Sequence, residues 1–210
     1  MQTPEFNTNC VQCPRLAAFL ESVRAEHPDY FSKPVPAFGD ADAHLCIVGL
    51  APGKHGANAT GRPFTGDHAG IMLYQTLHRY GFASKPVSES VDDGLKLINC
   101  RITNAVKCLP PQNKPVGAEV NTCNNWLAQE LQALPESYVI VALGGVAHKA
   151  VIRALGLKQA EYTFGHGHEH RLKQGSLIDS YHCSRYNTQT KRLTLPMFEA
   201  VFDRARQLLS

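Results

Sequence analysis

Two uninterrupted apolar runs, residues 45–50 (LCIVGL) and 138–143 (YVIVAL), constrain the fold of this chain more than any other feature. A strand with one wet face alternates apolar and polar residues, whereas a run without that alternation must be covered on both faces. Two further strands are expected at 97–103 and 177–182. Between the strands the apolar spacing turns helical. Ile71, Leu73, Tyr74 and Leu77 mark a helix over 69–80 that Gly81 ends, and Trp126, Leu127 and Leu131 mark one over 119–134. Gly144-Gly145 turns the third strand into a helix to about Leu155, and a closing helix covers 195–209. Near the start, Pro14 opens a helix through Leu16, Phe19, Leu20 and Val23. Residues 164–173 read as an irregular hairpin or loop.

Strands alternating with helices predict an α/β protein. The expected form is a three-layer α/β/α sandwich around a central four-stranded, mainly parallel sheet. The 210 residues suffice for one core, so a single domain over 1–210 is expected. Ligands of such sheets bind beyond the carboxyl ends of the strands. The loops after Leu50, Thr103 and Tyr181 should therefore converge.

Composition narrows the functional classes. With 43% hydrophobic and 19% charged residues, the chain has the make-up of an ordinary soluble protein. No apolar run approaches the roughly 20 residues that span a bilayer. The start, MQTPEFNTNC, lacks the basic and apolar regions of a secretory signal, so a cytoplasmic protein is expected. Seven cysteines, an odd number in a chain of this size, do not suit a disulfide scaffold. In a reducing compartment, clustered cysteines bind metal or do chemistry. Net charge is +3, but residues 145–195 carry eight Lys or Arg against three Asp or Glu, together with five of the ten histidines. A surface of that kind suits a polyanion such as DNA, although charge alone favours a solvated basic face.

Residues 49–67, GLAPGKHGANATGRPFTGD, hold five glycines and two prolines, so backbone can approach a ligand closely. The Gly-Lys-Ser/Thr ending of a P-loop is absent, while a general phosphate-binding loop stays open. Asp67 stands just before a helical pattern, where it reads as an N-cap. Phe64 reads as a core aromatic. Asn104, after the second strand, is a turn residue or an amide that can read a polar edge. His182 ends the fourth strand and is either structural or a proton donor. Cys10 and Cys13 form a C-x-x-C pair, and fourteen residues separate Cys108 from Cys123. Four thiolates suit structural zinc or an iron–sulfur centre, and spacing does not choose between them. Cys46, in mid-strand, reads as a small buried apolar residue. The alternating histidines of 164–170 suit either zinc or a basic loop facing DNA.

Taken in order, these segments resemble the uracil-DNA glycosylase superfamily. Gly49-Leu50-Ala51-Pro52-Gly53 with Gly61-Arg62-Pro63-Phe64-Thr65-Gly66-Asp67 is similar to its first motif. Residues 102–111 (ITNAVKCLPP) and 181–187 (YHCSRYN) are similar to its middle and histidine motifs. Leu50-Ala51, where other branches have a polar residue, resembles family 5, the iron–sulfur-containing UDGb type. The resemblance extends from Cys10 to the last helix and implies the same α/β/α fold.

It also implies roles. Asp67 is the active-site carboxylate that orients water and offsets positive charge on the sugar. Gly49, Ala51, Gly53, Phe64, Asn104 and His182 bind the extracted base, with Phe64 stacking on it, Asn104 reading its edge and His182 donating to it as it departs. Arg185 holds a phosphate, and Tyr186 wedges into the duplex. Cys10, Cys13, Cys108 and Cys123 hold a 4Fe–4S cluster. The implied partner is double-stranded DNA containing deaminated bases: uracil, and also hypoxanthine and xanthine. The implied reaction hydrolyses the base–sugar bond of a flipped nucleotide and leaves an abasic site. No lysine is assigned as an amine nucleophile, so no strand-cutting step is expected, and a monomer suffices. Cys183 and Arg185 depart from the common His-Pro-Ser-Pro form of the histidine motif. The rival reading is a non-catalytic iron–sulfur module that binds nucleic acid or senses redox state. Such a module would need the cysteines but not Asp67, Asn104 and His182 together.

Overall fold

The computed structural model describes residues 6–210. Six strands form one sheet: β1 (Phe38–Gly39), β2 (Leu45–Gly49), β3 (Cys100–Asn104), β4 (Tyr138–Leu143), β5 (Glu169–Arg171) and β6 (Gly175–Ser180), in the order β1-β3-β2-β4-β6-β5. The four central strands run parallel. They are the four expected from sequence, so the parallel core stands and the strand count is corrected from four to six. The additions, β1 and β5, are antiparallel edges of two and three residues. An edge strand buries little and pairs on one side only, so it leaves no apolar run to read. Residues 164–173, read as an irregular hairpin or loop, form a loop followed by β5, which pairs antiparallel with β6.

The helices are α1 (Pro14–Glu26), α2 (Ala57–Thr60), α3 (His68–Arg79), α4 (Gly117–Gln132), α5 (Gly145–Ala154), α6 (Arg185–Gln189) and α7 (Leu195–Leu209). Alternate residues of each central strand feed opposite layers, as the pleat requires. Leu45 and Ile47 of β2 and Val139 and Val141 of β4 pack with Leu73, Leu77, Phe198 and Phe202 of α3 and α7. Cys46, Val48, Ile140 and Ala142 pack on the other face with Leu127, Leu131, Ala147 and Val151 of α4 and α5. Cys46 is thus the buried apolar residue expected of it. A third cluster joins α1 through Leu16, Leu20 and Val23 to Val106, Leu109 and two cysteines.

Strand ends differ from expectation where they matter most. The second strand starts at Cys100 rather than Leu97, because Asn99 takes a left-handed φ of 49° and turns the chain into β3. The fourth ends at Ser180, so Tyr181 and His182 lie in the loop beyond it. The short helices α2 and α6 fall inside stretches read as loops. Four or five residues are too few to show a helical period.

Phe202 is fully buried between α7 and the sheet. Phe202→Ala should lower unfolding stability by about 3–5 kcal/mol. Urea denaturation should show this as a reduced midpoint at an unchanged slope.

Candidate active site

The carboxyl ends of β2, β3, β4 and β6 open into one cleft of about 460 Å³. Its wall includes Ala51, Gly53, Phe64, Asp67, Asn104 and His182. The three expected loops do converge. Arg185 lines the mouth, whereas Tyr186 lies beyond it on α6 and is 71% exposed.

Gly49 stands behind the wall. The parallel register sets it opposite Asn104, and the ladder continues past the strand ends through Ala105 N–H to Gly49 O (2.9 Å) and Val106 N–H to Leu50 O (2.9 Å). A Cβ on Gly49 would sit 2.4 Å from Asn104 Oδ1 and 2.6 Å from Phe64 Cζ. Only hydrogen at that point lets the amide and the ring share the pocket floor. Phe64 holds a φ of 55°, a strained value for an aromatic residue, and its ring stacks towards His182 with centroids 5.9 Å apart.

Asn104 is 3% exposed, and its Oδ1 is buried with no partner among the described residues. Buried acceptors are rarely left unpaired, so this one points to a donor brought by a ligand.

Asp67 is the N-cap of α3, where Oδ1 accepts the Gly70 N–H at 2.8 Å. The cap therefore orients the carboxylate rather than competing with a chemical role. Its other oxygen faces Gly53 and Gly56. A Cβ on Gly56 would lie 2.8 Å from Oδ2, so glycine is needed there as well. Burial raises the Asp67 pKa, and the N–H groups of Gly70 and Ala69 oppose that rise.

His182 is pushed down to about 4 by burial, so its ring is neutral at pH 7. Among the described residues its ring nitrogens make no hydrogen bond; only its main-chain carbonyl is held, by Asn187 Nδ2 at 2.8 Å. A neutral imidazole keeps one N–H to donate.

Arg62, within the first motif, faces away from the cleft. It is buried, grips both Asp93 oxygens at 2.8 and 3.0 Å, and donates to Val91 O at 2.6 Å. Burial alone would raise the Asp93 carboxyl, but Arg62 and three main-chain N–H groups hold it well below the usual carboxylate range. The pair fastens the loop 84–98 to the Phe64–Asp67 turn.

Three lining elements were not assigned to the site from sequence: the main chain of Leu143-Gly144-Gly145, His68 and Asn113. Asn113 follows Pro110-Pro111-Gln112 with a φ of 56°. Asparagine after two prolines in a tight turn was the available signal.

Cys10, Cys13, Cys108 and Cys123 line one small cavity together with Leu16, Val106, Lys107 and Trp126. All four are free thiols. Burial pushes Cys108 up to about 12 and Cys123 up to about 11. Unpaired thiolates would be costly there, so a positively charged centre suits the set. Among the described residues no three of these sulfurs lie within 4.8 Å of one another. A single tetrahedral zinc, with Zn–S bonds of about 2.3 Å, would draw them to about 3.8 Å. Four free thiols around one small cavity suit either a single metal ion or a multi-iron centre.

A cleft with an unpaired amide acceptor, an aromatic floor, a capped carboxylate and a neutral histidine has the chemistry to receive a flat polar ring. Residues 36–206 match the uracil DNA glycosylase superfamily. A type-5 uracil-DNA glycosylase of Thermus thermophilus is 47% identical over 207 residues, covering 96% of this chain and 94% of that protein. One of Mycobacterium leprae is 43% identical over 219 residues, with 98% and 95% covered. One of Pyrobaculum aerophilum is 42% identical over 201 residues, with 94% and 88% covered. The chain belongs to the uracil DNA glycosylase superfamily, and these relatives are its type-5 branch.

Gly49→Ala should retain the fold and lose activity by on the order of a hundredfold, since a 1 Å displacement of a reacting group costs that much. Circular dichroism and turnover of a uracil duplex measure the two. Full turnover would show that Asn104 and Phe64 need no such approach.

Proposed function

We propose that the cleft of this uracil-DNA glycosylase takes one flipped base from double-stranded DNA and hydrolyses its bond to deoxyribose. The observation that carries the reading is the unpaired, buried Asn104 Oδ1 at the floor of the cleft. The N3–H of uracil is a donor of the matching kind, and the Asn104 amide N–H serves the neighbouring O4. Phe64 offers a ring face to the base, and 460 Å³ leaves room for one nucleobase.

As the C1′–N bond breaks, its electron pair goes to the base and positive charge grows on the sugar. Neutral His182 donates its N–H to the base oxygen that gains charge. Ionised Asp67, with Oδ1 tied to α3 and Oδ2 turned towards Gly53 and Gly56, holds the water, offsets the sugar charge and takes the water's proton as oxygen bonds to C1′. The products are a free base and an abasic site. No lysine is assigned as an amine nucleophile, so the reading is hydrolysis without strand cutting. Leu50 and Ala51 leave that wall without a polar group that would select one base, so hypoxanthine and xanthine are further substrates on this reading. Arg185 meets a backbone phosphate, and exposed Tyr186 fills the gap left by the flipped nucleotide. No described helix is long and apolar enough to cross a membrane.

Cys10, Cys13, Cys108 and Cys123 would hold a 4Fe–4S cluster, which ties the start of α1 to the middle motif. A non-catalytic module leaves the meeting of Asp67, Asn104 and His182 in one cleft without a purpose.

Asp67→Asn keeps a good cap and should fold normally, yet lose most cleavage of duplexes carrying uracil, hypoxanthine or xanthine, read as abasic sites after alkali. Near-wild-type turnover would remove Asp67 from the mechanism. Because Asp67 must be ionised and its pKa is raised, kcat/KM should fall as pH drops through a value above the ordinary 3.9 or so. An acid limb at or below that ordinary value would contradict the assignment. For the cysteines, anaerobically purified protein should be brown with about four irons per chain, and Cys108→Ser colourless. A colourless, zinc-loaded wild type would reject the cluster.

A further inference from the structure

Asp179 lies in β6, three residues before His182, and is fully buried. Its Oδ1 is 2.7 Å from His148 Nδ1 on α5. Its Oδ2 accepts the Gly165 N–H at 3.2 Å and meets His170 Nε2 at 3.1 Å. Its main-chain N–H donates to His168 O, and its carbonyl accepts the Gly167 N–H. One residue therefore fastens the whole loop 162–170.

The proton positions follow from the partners. His148 Nε2 is 2.9 Å from the Tyr162 carbonyl, which can only accept, so Nε2 carries hydrogen. The Asp179 carboxylate takes two donors on Oδ2, the pattern of an ionised acid, so Nδ1 carries hydrogen too. Burial pulls the His148 pKa down, but the Asp179 bond and charge and the Tyr162 carbonyl outweigh it, and the net shift is upward. His148, His170 and Asp179 also lie close enough to suggest a cation. However, donor atoms around a metal with bonds near 2.0–2.1 Å stand about 3.3 Å apart, and 2.7 Å is the length of a hydrogen bond. Protons rather than a metal join this triad.

The fastened loop reaches the cleft through two side chains. His166 stacks on Tyr181, with centroids 5.0 Å apart, and its Nδ1 accepts the Tyr181 N–H at 3.1 Å. Phe164 lies against His148, Tyr181 and the cleft-lining Gly145. Arg192 covers the Tyr181 ring at 4.7 Å. Tyr181 is thus clamped by the loop, and His182 is the next residue. Among the described residues the His182 ring has no hydrogen bond of its own, so its aim depends on where this main chain is held.

We propose that Asp179 is a positioning residue for base removal, which through His148 and the loop 162–170 fixes Tyr181 and so aims the His182 ring at the departing base. This rests on the donor role of His182 proposed above, and the test separates the two. A base whose anion is already stabilised, 5-fluorouracil, needs less help from that donor than uracil does. His182→Ala should therefore lose far more turnover on uracil than on 5-fluorouracil. If it does not, the donor role fails, and this inference with it. Given that pattern, Asp179→Asn should lower kcat on uracil by on the order of tenfold to a hundredfold and on 5-fluorouracil by less than about threefold. Adding Asp179→Asn to His182→Ala should cause no further loss.

His166→Ala removes the last link without touching the buried charge pair. It should show the same substrate contrast, and it carries the test if Asp179→Asn does not fold. Equal losses on both bases, additive losses in the double variant, or zinc bound in proportion to protein and lost in Asp179→Asn would each overturn the proposal while leaving the donor role of His182 intact.

Discussion

Gly49 and Asn104 face each other across two parallel strands, and the rest of the cleft depends on that pairing. Register places the amide at the end of β3, and the missing side chain at the end of β2 makes room for it and for Phe64. A one-residue slip would send Asn104 to the opposite face of the sheet and leave Phe64 no space. Register is itself secured by burial on both faces, because a shift would misplace Ile47 and Val48 in two packed layers at once. The apolar core and the reading of a polar base are in this sense one constraint. The layers that hold β2 also hold the floor of the site.

The electrostatics of the cleft follow from the same enclosure. Burial favours the neutral forms of Asp67 and His182 and moves their pKa values towards each other. Only Asp67 has compensation, from the first turn of α3, whose N–H groups favour a carboxylate. On the proposed function, the site combines a carboxylate held by the first turn of α3 with a neutral donor. That combination suits a bond that breaks into a positive sugar and a negative base.

The core strands β2 and β4 could be read from sequence because their signal is burial, and burial is written as an apolar run. The motif residues Asp67, Asn104 and His182 could be read because a family resemblance ordered them; each alone is explained equally well as a cap, a turn residue or a structural histidine. What escaped the sequence is mostly backbone. Gly144, at a φ of 97°, and Asn113, at 56°, shape the cleft by the path of the chain, and a path leaves only weak traces in residue type. The edge strands escaped for the opposite reason, since they bury too little to leave a pattern. Arg62 misleads in a third way. It sits inside a motif of the site, yet its guanidinium is spent on Asp93 and the loop behind.

The cysteine cavity extends the dependence on Asn104 in another direction. Lys107, three residues on and 1% exposed, gives its main-chain N–H to Cys123 Sγ at 3.3 Å. Its ammonium is held by Glu130 at 2.7 Å and by Thr103, the residue before Asn104. Thr103 in turn donates to Glu130 at 2.7 Å. A buried lysine requires such a partner, and the pair fixes β3 to α4 directly behind the pocket floor. Ala51, in the cleft wall, packs on the same cluster as Cys108 and Cys123. Whatever centre the four thiols hold, its loss would reach the site through two routes, one polar through Lys107 and one apolar through Ala51. The cavity is thus joined to the pocket floor by the buried Lys107 network and by half-buried Ala51.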